Sequence, residues 1–169
     1  MKPIPKALVV FAFLALSGAS IVYAQSGDDV STGLETAKAL TAESFKSAAE
    51  SVFSPSILES VEYDTGQGSI TFQAPKVLPD YFESGDKVNK IIAIDSARLF
   101  RHLPSLESLS LRIPVGGDDV QATLPRQAVE EFYGVRFSEL HNDMNAWRED
   151  FSSKYDNKAS RKKFVEEFF

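Results

Sequence analysis

Apolar residues recur along this chain with two periods, and each change of period marks a boundary between elements. In "LETAKALTAESFKSAAESVF", Leu34, Ala37, Thr41, Phe45, Ala48 and Val52 fall three and four apart, the spacing of a helix with one buried face. Thr32 followed by Glu35 is a capping-box pattern that would start this helix, and Ser54-Pro55 ends it. The next stretch, "ILESVEYDTGQGSITFQAP", alternates in period two around a Gly-containing turn. With Gly66-Gln67 as the turn, Tyr63 faces Ile70 and Val61 faces Phe72, which gives the hairpin one apolar side. Residues 76–85, "KVLPDYFESG", lose the periodicity and read as a loop, with Tyr81 and Phe82 pinning it to the core. From Asp86 to Leu103 the helical spacing returns at Val88, Ile92, Ser96, Leu99 and Leu103. The run at 90–95, "KIIAID", also fits a buried strand. A strand there would leave only about eight residues for the return, short of the dozen or so that a parallel crossover needs.

A second hairpin pattern follows in "LESLSLRIPVGGDDVQATLP", and pairing Val115 with Val120 sets Ile113 opposite Ala122 and Leu111 opposite Leu124. Pro125 suits the first turn of a helix that stops at Gly134. In "FSELHNDMNAWREDFSSKY" the stripe Phe137, Leu140, Met144, Trp147, Phe151 and Tyr155 runs unbroken and predicts one long helix, and "SRKKFVEEFF" predicts a short final one. These elements make an α+β fold. Two β-hairpins form a four-stranded antiparallel sheet packed by a central helix, with an N-terminal helix and C-terminal helices, in a single domain over 34–169.

The first 33 residues follow neither period. Lys2 and Lys6 precede an apolar run from Ala7 to Leu16, and Val22-Tyr23-Ala24 places acceptable residues at a signal-peptidase cut, so 1–24 reads as a secretory signal peptide. The apolar run is shorter than the roughly 20 residues that span a bilayer, so no stable membrane insertion is expected. "QSGDDVSTG", residues 25–33, is small and polar and would be the flexible start of the mature chain. Removing residues 1–24 from 169 leaves 145 residues; two of the 18 Lys and Arg go with them and none of the 24 Asp and Glu, for a net charge of −8. Such an acidic chain carries no electrostatic footprint for nucleic acid. The basic run Arg161-Lys162-Lys163 is offset by Glu166 and Glu167 and reads as a solvated helix face. With no cysteine, thiol catalysis, redox exchange and cysteine-ligated metals are excluded. A signal without disulfides or an Asn-x-Ser/Thr site points to a bacterial, extracytoplasmic protein, located in the periplasm.

The stretch closest to chemistry is Gly116-Gly117-Asp118-Asp119, which resembles the opening of the signature of GGDEF-type diguanylate cyclases. In that family the hairpin acids bind metal and the backbone approaches a nucleotide phosphate. The resemblance implies metal-dependent nucleotide chemistry, with Asp95 of "AIDSARLF" as an upstream metal-binding acid. Val120 stands where the signature has Phe, and no second acid lies two positions from Asp95. Asp95 is also only 21 residues before Gly116, too close for the helices that the family places between. Beyond Arg112 and Arg126 there is no basic constellation for phosphates, so no family is assigned.

The same residues suit a Gly-first two-residue turn at Gly117-Asp118. Asp118 and Asp119 remain the candidate metal residues, as hard oxygen ligands for calcium, though a calcium loop supplies six or more oxygens. His102 and His141, the only histidines, would need to converge with Glu139 or Asp143 to hold a metal, and no spacing suggests it. No serine sits in a nucleophile elbow, no catalytic residue is assigned, and no cofactor is expected. The chain therefore reads as a non-enzymatic interaction or accessory protein, meeting an envelope protein partner through its aromatic C-terminal helices. The alternative is a small-molecule or ion-binding domain, or a hydrolase, with its site at the Gly116–Asp119 hairpin or the 76–85 loop.

Overall fold

Both stretches of period two form hairpins, and the helical stretches cover one face of the sheet that the hairpins build. A computed structural model describes residues 40–83 and 85–168, within a unit spanning Ala37–Phe169. The signal segment, the start of the mature chain and the Thr32–Glu35 capping box lie outside the described residues.

The first helix, α1 (Ala42–Val52), begins at Thr41. Thr41 is extended, accepts from the Ser44 amide and has its own amide held by Ser44 Oγ, so the stripe that starts at Leu34 is interrupted there. After a 3₁₀ turn (Pro55–Ile57) come β1 (Leu58–Asp64) and β2 (Gln67–Phe72), then α2 (Gly85–Lys90). Residues 91–95 form a π-helical turn that runs directly into α3 (Ser96–His102), so 90–95 is helix rather than strand. The second hairpin, β3 (Ser108–Val115) and β4 (Asp118–Pro125), leads into α4 (Arg126–Tyr133), which Gly134 closes at a left-handed φ of 64°.

The sheet order is β1-β2-β3-β4, with both hairpins antiparallel and β2 parallel to β3. The fold is α+β as expected, but the sheet is mixed rather than wholly antiparallel. The reason is direction: the helix from Gly85 to His102 carries the chain back along the sheet, so β3 starts at the end where β2 started and runs the same way.

Both hairpins also slip by two residues from the expected register. Val61 pairs with Ile70 and Tyr63 with Gly68, around a Thr65-Gly66 turn. Ile113 pairs with Val120 and Val115 with Asp118, around Gly116-Gly117. A slip of two leaves every side chain on its original face, so the apolar pattern fits either register. Turn geometry decides: all four turn residues have positive φ, which the glycines accept freely and which Thr65 adopts at 42°. The first turn is also tied in place, because the Gly66 carbonyl accepts from the amides of Glu107 (2.7 Å) and Ser108 (3.2 Å). Gly68 lies under α1, where a Cβ would come 2.3 Å from Phe45 Cζ.

The long C-terminal stripe is not one helix. It splits into α5 (Phe137–Leu140) and a second piece made of α6 (Met144–Ala146), a π-helical turn over 147–152 and α7 (Ser153–Tyr155). Asp143, extended, breaks the stripe and caps the new helix by accepting from the Asn145 and Ala146 amides. The last helix, α8 (Lys158–Phe168), follows. Its Arg161 is not solvated: it pairs with Asp86 at 2.9 Å and Asp156 at 2.6 Å, tying α8 to α2.

Candidate functional site

The two regions singled out in the sequence meet. Glu83, at the end of the 76–83 loop, accepts from the Gly116 amide at 3.0 Å, so that loop is tied to the tip of the second hairpin. Phe82 is buried beneath it and Tyr81 half-buried, as expected, while Val77 is 93% exposed and Leu78 44% exposed. Asp118 and Asp119 are neighbours on β4, and successive strand residues point to opposite faces. Asp119 is held by Arg112 Nε at 2.8 Å on the polar face. The two carboxylates therefore diverge and do not form a chelating pair.

The histidines, which no spacing linked, come together. His102 at the end of α3 and His141 after α5 line one cleft of about 240 Å³ with Leu40, Ser44 and Ser105. His141 Nδ1 lies 2.6 Å from the Arg101 carbonyl, so this nitrogen carries the proton and donates. Burial, then the charges of Arg101, His141 and Arg98, hold the His102 pKa below its usual range, and the same positive surroundings disfavour a bound cation. The two candidate carboxylates are elsewhere engaged: Asp143 caps α6, and Glu139 faces cavities beside Gly134–Arg136. Among the described residues no group of three or more His, Asp or Glu is arranged to hold a metal ion.

The aromatic stripe turns inward. Phe137, Trp147, Phe151 and Phe164 are buried, with Tyr133 stacked on Phe164 at 5.1 Å and Trp147 on Phe151 at 4.3 Å. Of the stripe's large apolar side chains, Met144 alone is mostly exposed, at 58%. These helices thus use their rings to close the chain's own core, and among the described residues they present no exposed aromatic face.

Two buried charges go unsignalled by the sequence pattern. Arg101 donates from Nε to the Leu140 carbonyl (2.6 Å) and lies over the Trp147 ring, with no carboxylate bonded to it among the described residues. Asp95, within the π-helical turn, pairs with Arg98 at 3.0 Å; burial outweighs that attraction and pushes its carboxyl up to about 6. Arg101 ties α3 to α5, Asp95 pairs within its own helix, and neither lines a cleft described above.

The feature that pattern reading missed is the difference between the sheet's two edges. At β4, Ala122 and Leu124 are fully covered and Val120, beside the turn, is half-buried. At β1, Leu58, Val61 and Tyr63 are only half-buried, although Val61 lies directly opposite the fully buried Ile70. A groove of about 410 Å³ runs along β1, walled on its other side by Lys46 and Glu50 of α1. The sequence carries only the acid-rich alternation "LESVEYD", which sets acids toward solvent without saying which edge of the sheet the strand takes.

No protein-family model, curated protein or solved structure matches this chain. Among the described residues no helix is long and apolar enough to cross a membrane.

Proposed function

We propose that this chain is an extracytoplasmic, periplasmic interaction or accessory protein that binds an envelope protein partner and turns over no substrate. The observation that carries the reading is the unfinished β1 edge, where core-facing side chains stay half-buried beside a groove. Strand edges of this kind recognise extended segments by adding a strand. The Lys2–Ala24 pattern supports export, and the acidic composition argues against nucleic acid as the partner. Docking through the aromatic C-terminal helices is the weaker version of this reading, because their rings are buried and Met144 is the exposed remnant.

Site-specific photo-cross-linkers at Glu62, Val77, Thr123 and Met144 of the full chain, expressed with its own N-terminus, test the proposal. A discrete adduct with one envelope protein, from a chain whose N-terminus has become Gln25, is expected. Adducts at none of the four positions, or a chain retained in the cytoplasm, would overturn it.

A second reading is favoured by the contact between the 76–83 loop and the hairpin tip: an ion- or small-molecule-binding site, or a hydrolase, at the Gly116–Asp119 hairpin or the 76–85 loop. A ligand that binds only the folded state raises the melting midpoint. An unchanged midpoint in millimolar calcium removes the ion-binding version.

A further inference from the structure

We infer that the groove along β1 binds an extended peptide segment alternating apolar and basic residues, which pairs with the free edge as a fifth strand. This rests on the interaction role proposed above and names the partner's chemistry. Asp64 and Gln67 close a two-residue turn, so the hydrogen-bonded pairs of the hairpin are Asp64–Gln67, Glu62–Ser69 and Ser60–Thr71. The intervening residues, Val61 and Tyr63, direct their backbone N–H and C=O outward. Among the described residues no backbone or side-chain group bonds to them from that side. The bulge between Leu58 and Ser60 limits regular pairing to the stretch from Ser60 to Asp64.

Three observations choose the occupant. The half-buried Leu58 and Val61 form an apolar floor that a neighbouring strand's side chains would cover. Glu50, Glu59 and Glu62 line the groove against a single lysine, Lys46, which is already 4.0 Å from Glu50. The same acids repel a second copy of this edge, so self-pairing is disfavoured while Lys or Arg side chains are attracted. In the bound strand, one face would set apolar side chains on Val61 and the other would bring basic side chains to Glu62.

The probe is a fluorescent octapeptide alternating valine and lysine, titrated against the full chain by anisotropy, with amide exchange measured in parallel. Saturable binding with new protection at Val61 and Tyr63 is expected. The double variant Glu59→Lys/Glu62→Lys, confined to exposed side chains, is expected to lose at least about tenfold in affinity and to prefer a valine–glutamate octapeptide. Methylating alternate peptide nitrogens removes the edge hydrogen bonds while keeping the charge, and is expected to abolish binding. Equal binding of the methylated peptide, protection at β4 instead of β1, or no saturable binding overturns the inference. If peptide binding fails while cross-linking still yields one partner at Val77, Thr123 or Met144, the groove assignment falls and the interaction role stands.

Discussion

The sheet ends differently on its two sides. At β4 the core-facing Ala122 and Leu124 are fully buried and only Val120, next to the turn, is half-buried, whereas at β1 Leu58, Val61 and Tyr63 are all half-buried. Both edges carry the same alternating pattern and both belong to hairpins with two-residue turns. Alternation specifies which face a side chain takes; how far that face is covered depends on which helices lie over it. Both edges leave one row of backbone groups without a strand partner among the described residues, and they differ in how much apolar surface stays accessible beside that row.

The sharpest test of that contrast is truncation at each edge. Leu124→Ala should cost about 2–5 kcal/mol, as for a fully buried leucine. Val61→Ala should cost only about 1 kcal/mol, because part of its surface stays in water and the side chain is smaller. Urea denaturation measures both, and equal losses would break the comparison.

Asp95 gives a probe of the interior shared by both edges. Its carboxyl is raised by burial to about 6 from an ordinary 3.8, so the folded chain holds that proton more tightly than the unfolded one. The stabilisation is fully present below the unfolded value and is lost as pH rises through the folded value. The loss is up to about 3 kcal/mol between pH 4 and pH 7. In Asp95→Asn this component of the pH–stability profile should vanish; an unchanged profile would show that the carboxyl is not desolvated.

Gly68→Ala tests how firmly α1 holds the open hairpin. The added methyl meets Phe45 Cζ, and the overpacking should cost about 1–3 kcal/mol, partly recovered when Phe45→Leu is introduced alongside. No coupling between the two changes would mean that α1 does not seat on Gly68.

The smallest effect is expected at the closed edge's polar face, where Arg112 and Asp119 pair in solvent. Arg112→Ala should change stability by no more than about 0.5 kcal/mol, and 1 M salt should not enlarge the difference. A larger loss would make this pair a structural element of the hairpin tip.

Most elements were legible from periodicity, including α4 with its Gly134 stop and the loop pinned by Phe82. The long C-terminal stripe was not, because Phe137, Leu140, Met144, Trp147 and Phe151 keep helical spacing across a break that Asp143 caps locally. The Gly116–Asp119 stretch looked like a pair of ligands only while its turn was placed one residue late. With Gly116-Gly117 at the turn, Asp118 and Asp119 enter the strand and separate. The His102–His141 cleft and the Glu83–Gly116 contact join residues 39 and 33 positions apart, respectively, and no local pattern encodes such pairs.

By itself the sequence determined the α+β class, most of the elements and their order, and the face that the strand residues take, because these follow from local periods, caps and turn residues. Tertiary structure alone decided the parallel pairing of β2 with β3, the two-residue slips, the burial of the aromatic stripe and the open β1 edge. Each depends on which element passes over which: a helix reverses the chain, Phe45 occupies the space above Gly68, and α1 covers Val61 only in part.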